Sequence, residues 1–345
     1  MVFTNHVQFL SSEFREIDVF FPLQGGPLIE RVEKYARNLY IRQCCDNVHL
    51  ANNKYIYLVQ YIPDLAKIKK MNPDIKVSFI LHDPVLWVNE LMKHRDVVEY
   101  LDHVFCISNL VRQSFLESIP MFPREKTSVL YNSLLFYTEY NAQDKQDNIV
   151  TWGYAGRLSP EKGVLEIVRN FIEFSKNHIN HRLIIAGDIT ASTKRLIEYK
   201  ERILREAHRS ENIELIGYKN NLKTFYRQID YLIMGSYIEG ISVAALDALA
   251  SGIPVVSSDV GSMSEIINEH NGILFKFEKK LANPFGNNKI LNYSEKDNLS
   301  MRRAMEAALV KEWDREKIAQ ETRDKYASDV ISREICNQVV ELLGG

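Results

Sequence analysis

The sequence predicts an α/β protein built from two doubly wound domains with parallel sheets. Three observations lead there. Short β-branched or aromatic runs alternate with amphipathic helical stretches along the chain, the pattern of strand–helix–strand units. The 345 residues suffice for two domains of ordinary size. A polar stretch without apolar periodicity, Tyr140 to Asn148, separates two such series and reads as a linker.

In the first series, Ile17 to Leu23 reads as a strand, followed by Gln24-Gly25-Gly26-Pro27 and a helix from about Leu28 to Tyr40. Tyr55 to Gln60 and Lys76 to Leu81 are further strands, the second ending at His82-Asp83-Pro84. His103 to Ile107 is a strand that turns at Ser108-Asn109 into a helix through about Ser118. Thr127 to Tyr131 is another and ends at Asn132-Ser133. The second series opens with strand Val150 to Ala155 and a helix from Pro160. Strand Arg182 to Ala186, helix Thr193 to His208, strand Ile213 to Ile216, helix Leu222 to Gln228 and strand Tyr231 to Met234 follow. Ser242 caps a small-residue helix that Gly252 and Pro254 end before the strand Pro254 to Ser257. The tail Asp314 to Leu343 is helical.

A formal charge of −2 leaves no basic footprint for nucleic acid. No apolar run approaches the roughly 20 residues that span a bilayer, and the start, Met1 to His6, lacks the features of a signal peptide. Cys44, Cys45, Cys106 and Cys336 show no metal-ligand spacing and read as reduced cytoplasmic thiols. Lys67, Lys69, Lys70, Lys93, His94 and Arg95 lie near Leu65, Ile68, Leu91 and Met92. Solvated helix faces explain them; the alternative is peripheral contact with anionic lipid at the inner face of the membrane.

Two segments carry chemistry. In Ser236 to Val256, Glu239 precedes a helix and Asp247 lies inside it. A helix rises about 12 Å over eight residues, so the two carboxylates suit a long polar ligand lying beside the amides of the helix start. In Gly153-Tyr154-Ala155-Gly156-Arg157-Leu158-Ser159-Pro160-Glu161-Lys162-Gly163, a strand ends and Ser159-Pro160 starts a helix. Arg157 and Lys162 then stand at a helix N-terminus, where cation and dipole together favour an anion.

These residues resemble the retaining glycosyltransferases of family 4, which have the GT-B fold. Glu239-Gly240 and Asp247 stand where that family has its E-x7-E region, with Asp in place of the second Glu, and Gly156 to Gly163 fits its G-R-L-x-x-x-K-G pattern. The resemblance covers most of the chain and is strongest from Val150 to Phe275. It implies two Rossmann-like domains facing a cleft: residues 1–139 on the acceptor side, a linker at 140–149 and a nucleotide-sugar domain at 150–326. The last helix, about 327–345, would pack back on the first domain. By resemblance, Arg157 and Lys162 neutralise the donor diphosphate. Glu239 holds the donor sugar, Gly240, Ile241, Ser242 and Val243 offer amides to sugar and phosphate, and Asp247 takes the ribose hydroxyls. Tyr218 borders the base, Gly25 and Gly26 form the glycine-rich loop of the first domain, and His82 contacts the transferred sugar.

The implied activity is retaining transfer from a UDP- or GDP-linked sugar to a hydroxyl of a glycan, glycolipid or glycoconjugate. No cofactor is expected. The sequence has no Asp-x-Asp pair, so a metal is expected to be dispensable. The rival is a non-catalytic GT-B module that serves as partner subunit of another glycosyltransferase. A dinucleotide oxidoreductase ranks last, because no Gly-x-Gly-x-x-Gly follows the early strand.

Overall fold

The computed structural model describes residues 7–11, 18–21, 38–41, 50–58, 64–82, 95–139, 148–189, 193–278 and 293–344. Gly25, Gly26, Asp83, Leu91 to His94 and most of the expected linker lie outside them. The chain divides into two compact units, residues 1–133 with 326–345, and residues 134–325. The boundary read from the sequence at residue 139 falls later than this division.

In the first unit, β1 (Asp18–Phe21) pairs in parallel with β2 (Asn38–Ile41). Residues 38–40 therefore correct the expected helix to Tyr40: Asn-Leu-Tyr-Ile is a strand run that follows a helix-like sequence without a break signal. A second parallel sheet orders β3 (Tyr55–Leu58), β4 (Lys76–Leu81), β5 (His103–Cys106) and β6 (Thr127–Val129) consecutively. The run Val77 to Leu81, apolar but for Ser78, is buried throughout, as a strand covered on both faces requires. Helices α1 (Leu65–Met71), α2 (Arg95–Val98) and α3 (Asn109–Ser118) intervene. Ser108 caps α3 by accepting from Val111 N at 3.0 Å.

Two corrections to the basic patch follow. Leu65 and Ile68 are core residues at 1% and 0% exposure, so they offer a membrane nothing. Lys69 donates to Asp102 at 2.7 Å and to Ile75 O at 2.6 Å, which ties α1 to the sheet.

The second unit holds one six-stranded parallel sheet ordered β12-β11-β10-β7-β8-β9. Its strands are β7 (Val150–Ala155), β8 (His181–Ala186), β9 (Ile213–Gly217), β10 (Tyr231–Met234), β11 (Val255–Ser258) and β12 (Gly272–Phe275). The helices are α4 (Val164–Ser175), α5 (Lys194–Ala207), α6 (Lys223–Gln228), α7 (Val243–Ala250), α8 (Glu295–Val310) and α9 (Arg315–Tyr326). Sequence patterning did not place β12 or α8, although Ser294 and Asp297 form a capping box at the start of α8. The helical tail is made of two helices. Ala327, with non-helical backbone at φ −57 and ψ 149, separates α9 from α10 (Ser328–Leu342). Ile331, Ile335 and Val339 of α10 join the core of the first unit, each burial contributing about 1.5–3 kcal/mol.

Candidate active site

Strand order reverses between β7 and β10, with later strands running out on both sides. In open parallel sheets, ligands bind beyond the carboxyl ends of the strands at such a reversal. The two segments singled out from sequence leave the sheet there: Gly156 to Gly163 follows β7, and Gly235 to Ser242 follows β10.

The two loops are bonded together. Tyr237 N donates to Glu161 O at 2.9 Å. Gly163 has φ +62, and a Cβ there would lie 1.9 Å from Gly235 O, so only glycine allows this approach. The left-handed residue also corrects the expected helix from Pro160. Pro160–Lys162 is a short 3-10 turn, Gly163 breaks it, and α4 starts at Val164. Ser159 does not cap a helix; its hydroxyl donates to Glu161 Oε1 at 2.6 Å.

This architecture brings Lys162 to Glu239. Nζ lies 2.6 Å from Oε1, and Ser236 Oγ donates to the same oxygen at 2.7 Å. Both side chains are largely buried, at 19% and 8% exposure. Behind them, Ser258 Oγ donates to Ser236 O at 2.6 Å. Gly261 (φ +55) lies so close to Glu239 that a Cβ would be 1.7 Å from the Glu239 carbonyl oxygen. Arg157 projects more freely, 52% exposed, with its guanidinium 3.3 Å from Glu161 Oε1.

Gly240 and Ile241 lead into α7, where Ser242 Oγ accepts from Ala245 N at 3.3 Å, and Val243 opens the first turn. Glycines follow β7 and β8 and end β9: Gly187 N donates to Gly217 O at 2.9 Å, and a Cβ on Gly187 would meet Gly156 O at 1.8 Å. Tyr218, 58% exposed, follows Gly217. Two strand spacings, roughly 10 Å, separate β9 from β7.

Asp247 departs from expectation. It is 1% exposed, and its Oδ1 accepts from Leu135 N at 2.8 Å, in a segment far away in sequence. The α7 helix is buried nearly all round, so the expected ribose contact would have to compete with this inward bond. Burial raises its pKa from 3.8 to about 8, against the opposing amides of Leu135 and Phe136. The folded state thus holds the proton more tightly than the unfolded chain. Asp247's contribution to stability is full below about pH 4 and is lost as pH rises through about 8. The melting temperature is expected to fall between pH 6 and 9, and to fall less in Asp247→Asn; parallel pH profiles would refute this.

In the first unit, His82 ends β4 and is partly buried, and burial lowers its pKa to about 4, so the imidazole is neutral at pH 7. Among the described residues, no three His, Cys, Asp or Glu side chains are placed to hold a metal ion. No described helix is long and apolar enough to cross a membrane. Sequence reasoning assigned no role to Ser236, Glu161, Gly187 or Gly261. A serine at a strand end three residues before Glu239 was the available signal for the first.

Residues 138–305 match the family model of glycosyl transferases group 1. The chain is 29% identical over 169 residues to an uncharacterised glycosyltransferase of Methanocaldococcus jannaschii, covering 44% of this chain and 41% of that protein. It is 27% identical over 262 residues to the lipopolysaccharide 1,2-N-acetylglucosaminetransferase of Salmonella typhimurium, covering 72% and 64%. These matches span less than two thirds of either relative. Anabaena HepE, solved in complex with UDP-glucose, superposes with a TM-score of 0.73 at 15% identity over 98% of this chain and 95% of that one. The fold is therefore GT-B.

Proposed function

We propose that the chain is a retaining glycosyltransferase of the family 4 type, moving a sugar from a nucleoside diphosphate to a hydroxyl of a growing glycan or glycolipid. The observation that carries this reading is the Lys162–Glu239 pair at the switch point between β7 and β10. The match of residues 138–305 to glycosyl transferases group 1 supports it. HepE with UDP-glucose makes UDP the first donor nucleotide to try.

In this reading Arg157 and Lys162 take the negative charge that develops on the diphosphate as the sugar leaves, a preorganised electrostatic effect. Glu239, with one oxygen held by Lys162 and Ser236, directs the other to sugar hydroxyls. Gly240, Ile241, Ser242 and Val243 line the ligand at the start of α7, and Tyr218 stacks on the base. His82 supplies a neutral imidazole to the transferred sugar. The charge is carried by protein cations, so transfer should proceed in a chelator.

Arg157→Ala is expected to lower kcat/KM by about 10- to 100-fold, since a charge-assisted contact contributes about 1.5–3 kcal/mol. Release of UDP from UDP-sugars measures this, and a rate equal to the parent would remove Arg157 from the site. Proton NMR of the transfer product tests retention: the new anomeric signal should keep the donor's configuration, and inversion would refute it. The inward turn of Asp247 favours a second reading, a non-catalytic partner subunit. Nucleotide binding without turnover in the presence of acceptor would establish that one.

A further inference from the structure

The chain passes between its two units twice, at Ser133/Leu134 and at Lys325/Tyr326. Within the second unit, both passages are fastened to the carboxyl-terminal half of α7. On the first, Leu135 N donates to Asp247 Oδ1 at 2.8 Å and Thr138 N to Ser251 Oγ at 3.1 Å. The Ser251 hydroxyl in turn donates to Asp247 O at 2.8 Å. On the second, Arg323 donates from Nε to Ala250 O at 2.8 Å and from Nη2 to Thr138 O at 3.1 Å, so one guanidinium holds α7 and the first passage together. Arg323 also lies over the Tyr137 ring at 4.9 Å, and Arg227 Nε donates to Thr138 Oγ1 at 2.9 Å. Within the first unit, Tyr131 and Tyr326, which flank the same passages, meet edge to face at 5.4 Å.

We propose that Asp247 is a positioning residue, the buried pin that fixes both chain passages to the helix whose first turn faces the donor. An aspartate is well suited to such a pin. Its carboxyl is turned inward to backbone amides of residues 135 and 136, and no hydroxyl of a ligand is needed to satisfy it. The consequence for transfer rests on the function proposed above. In that reading the first turn of α7 lines the donor, so loosening the helix lowers turnover, while the diphosphate contacts, made by other residues, keep the affinity for nucleotide.

The test uses the full chain and the variants Asp247→Ala, Asp247→Asn and Ser251→Ala. Three readings are taken: hydrogen exchange of residues 134–139, affinity for UDP against 2′,3′-dideoxy-UDP, and steady-state constants. In Asp247→Ala, exchange should quicken and kcat fall, each by about tenfold, with the preference for UDP over the dideoxy nucleotide unchanged. Asp247→Asn keeps an acceptor oxygen toward Leu135 and should recover most of both, while Ser251→Ala should show a milder form of the alanine defect. Loss of the UDP preference with unaltered exchange would overturn the proposal in favour of ribose contact. A lower melting temperature with parental exchange and kcat would overturn it in favour of simple packing. If Asp247→Ala does not fold, the other two decide by the same criteria. Failure of the parent to bind nucleotide or transfer sugar would sink the functional reading separately. The exchange comparison still judges the pin, which stands if residues 134–139 loosen in Asp247→Ala and not in Asp247→Asn, and falls otherwise.

Discussion

Lys162→Ala is expected to lower sugar transfer by about 10²–10³-fold or more, the usual cost of removing one preorganised donor from developing negative charge. The ammonium is fixed before any ligand arrives. It is held 2.6 Å from Glu239 by the loop after β7, with Gly163 packed against Gly235 O. The substitution also strands the largely buried Glu239 carboxylate with Ser236 as its remaining partner, so stability should fall as well. The double variant Lys162→Ala/Glu239→Gln separates these effects. Neutralising the glutamate should restore much of the lost stability in urea unfolding and none of the activity. If the single variant transfers sugar at the parental rate, Lys162 has no part in catalysis.

Gly261→Ala should have the second-largest effect. The alanine methyl would meet the Glu239 carbonyl oxygen at 1.7 Å, and the backbone at φ +55 resists any side chain. Strain and overpacking each cost about 1–3 kcal/mol, so a loss of roughly 2–6 kcal/mol is expected, together with displacement of Glu239 and a fall in kcat. Gly217→Ala is the control. It has φ +70 with nothing within 4 Å of its Cβ, so it should cost only the backbone part, about 1–3 kcal/mol. Equal melting temperatures for the two variants would show that contact with Glu239 is not what fixes Gly261.

The sequence made the second unit legible because its strands are short apolar runs ended by recognisable turns. Leu232 to Met234 and Val255 to Ser257 could be seen as buried strands, and the Gly156 to Gly163 loop as an anion site. Other features turned on geometry that local patterns do not encode. Residues 38–41 follow a helix-like sequence without a break, yet β1 supplies a parallel partner that makes them a strand. Gly163 read as part of a motif, but its left-handed backbone is what splits Pro160–Lys162 from α4. Asp247 was the hardest case. An eight-residue helix of alanines, leucines and one valine has no polar stripe to reveal which way its single carboxylate points. Its partner, Leu135, lies in a segment that sequence patterning assigned to the other domain. Spacing from Glu239 located Asp247, and only its burial revealed which group it meets.

Thermal unfolding of the parent and of Lys162→Ala, each with UDP, GDP or ADP in EDTA, tests the central claim most directly. A nucleotide at about 100 times its Kd adds roughly 2.7 kcal/mol to stability. One nucleoside diphosphate, UDP first among them, should raise the parent's melting temperature and leave Lys162→Ala unmoved. No shift with any of the three, or the same shift in both proteins, would contradict a diphosphate site built on Lys162.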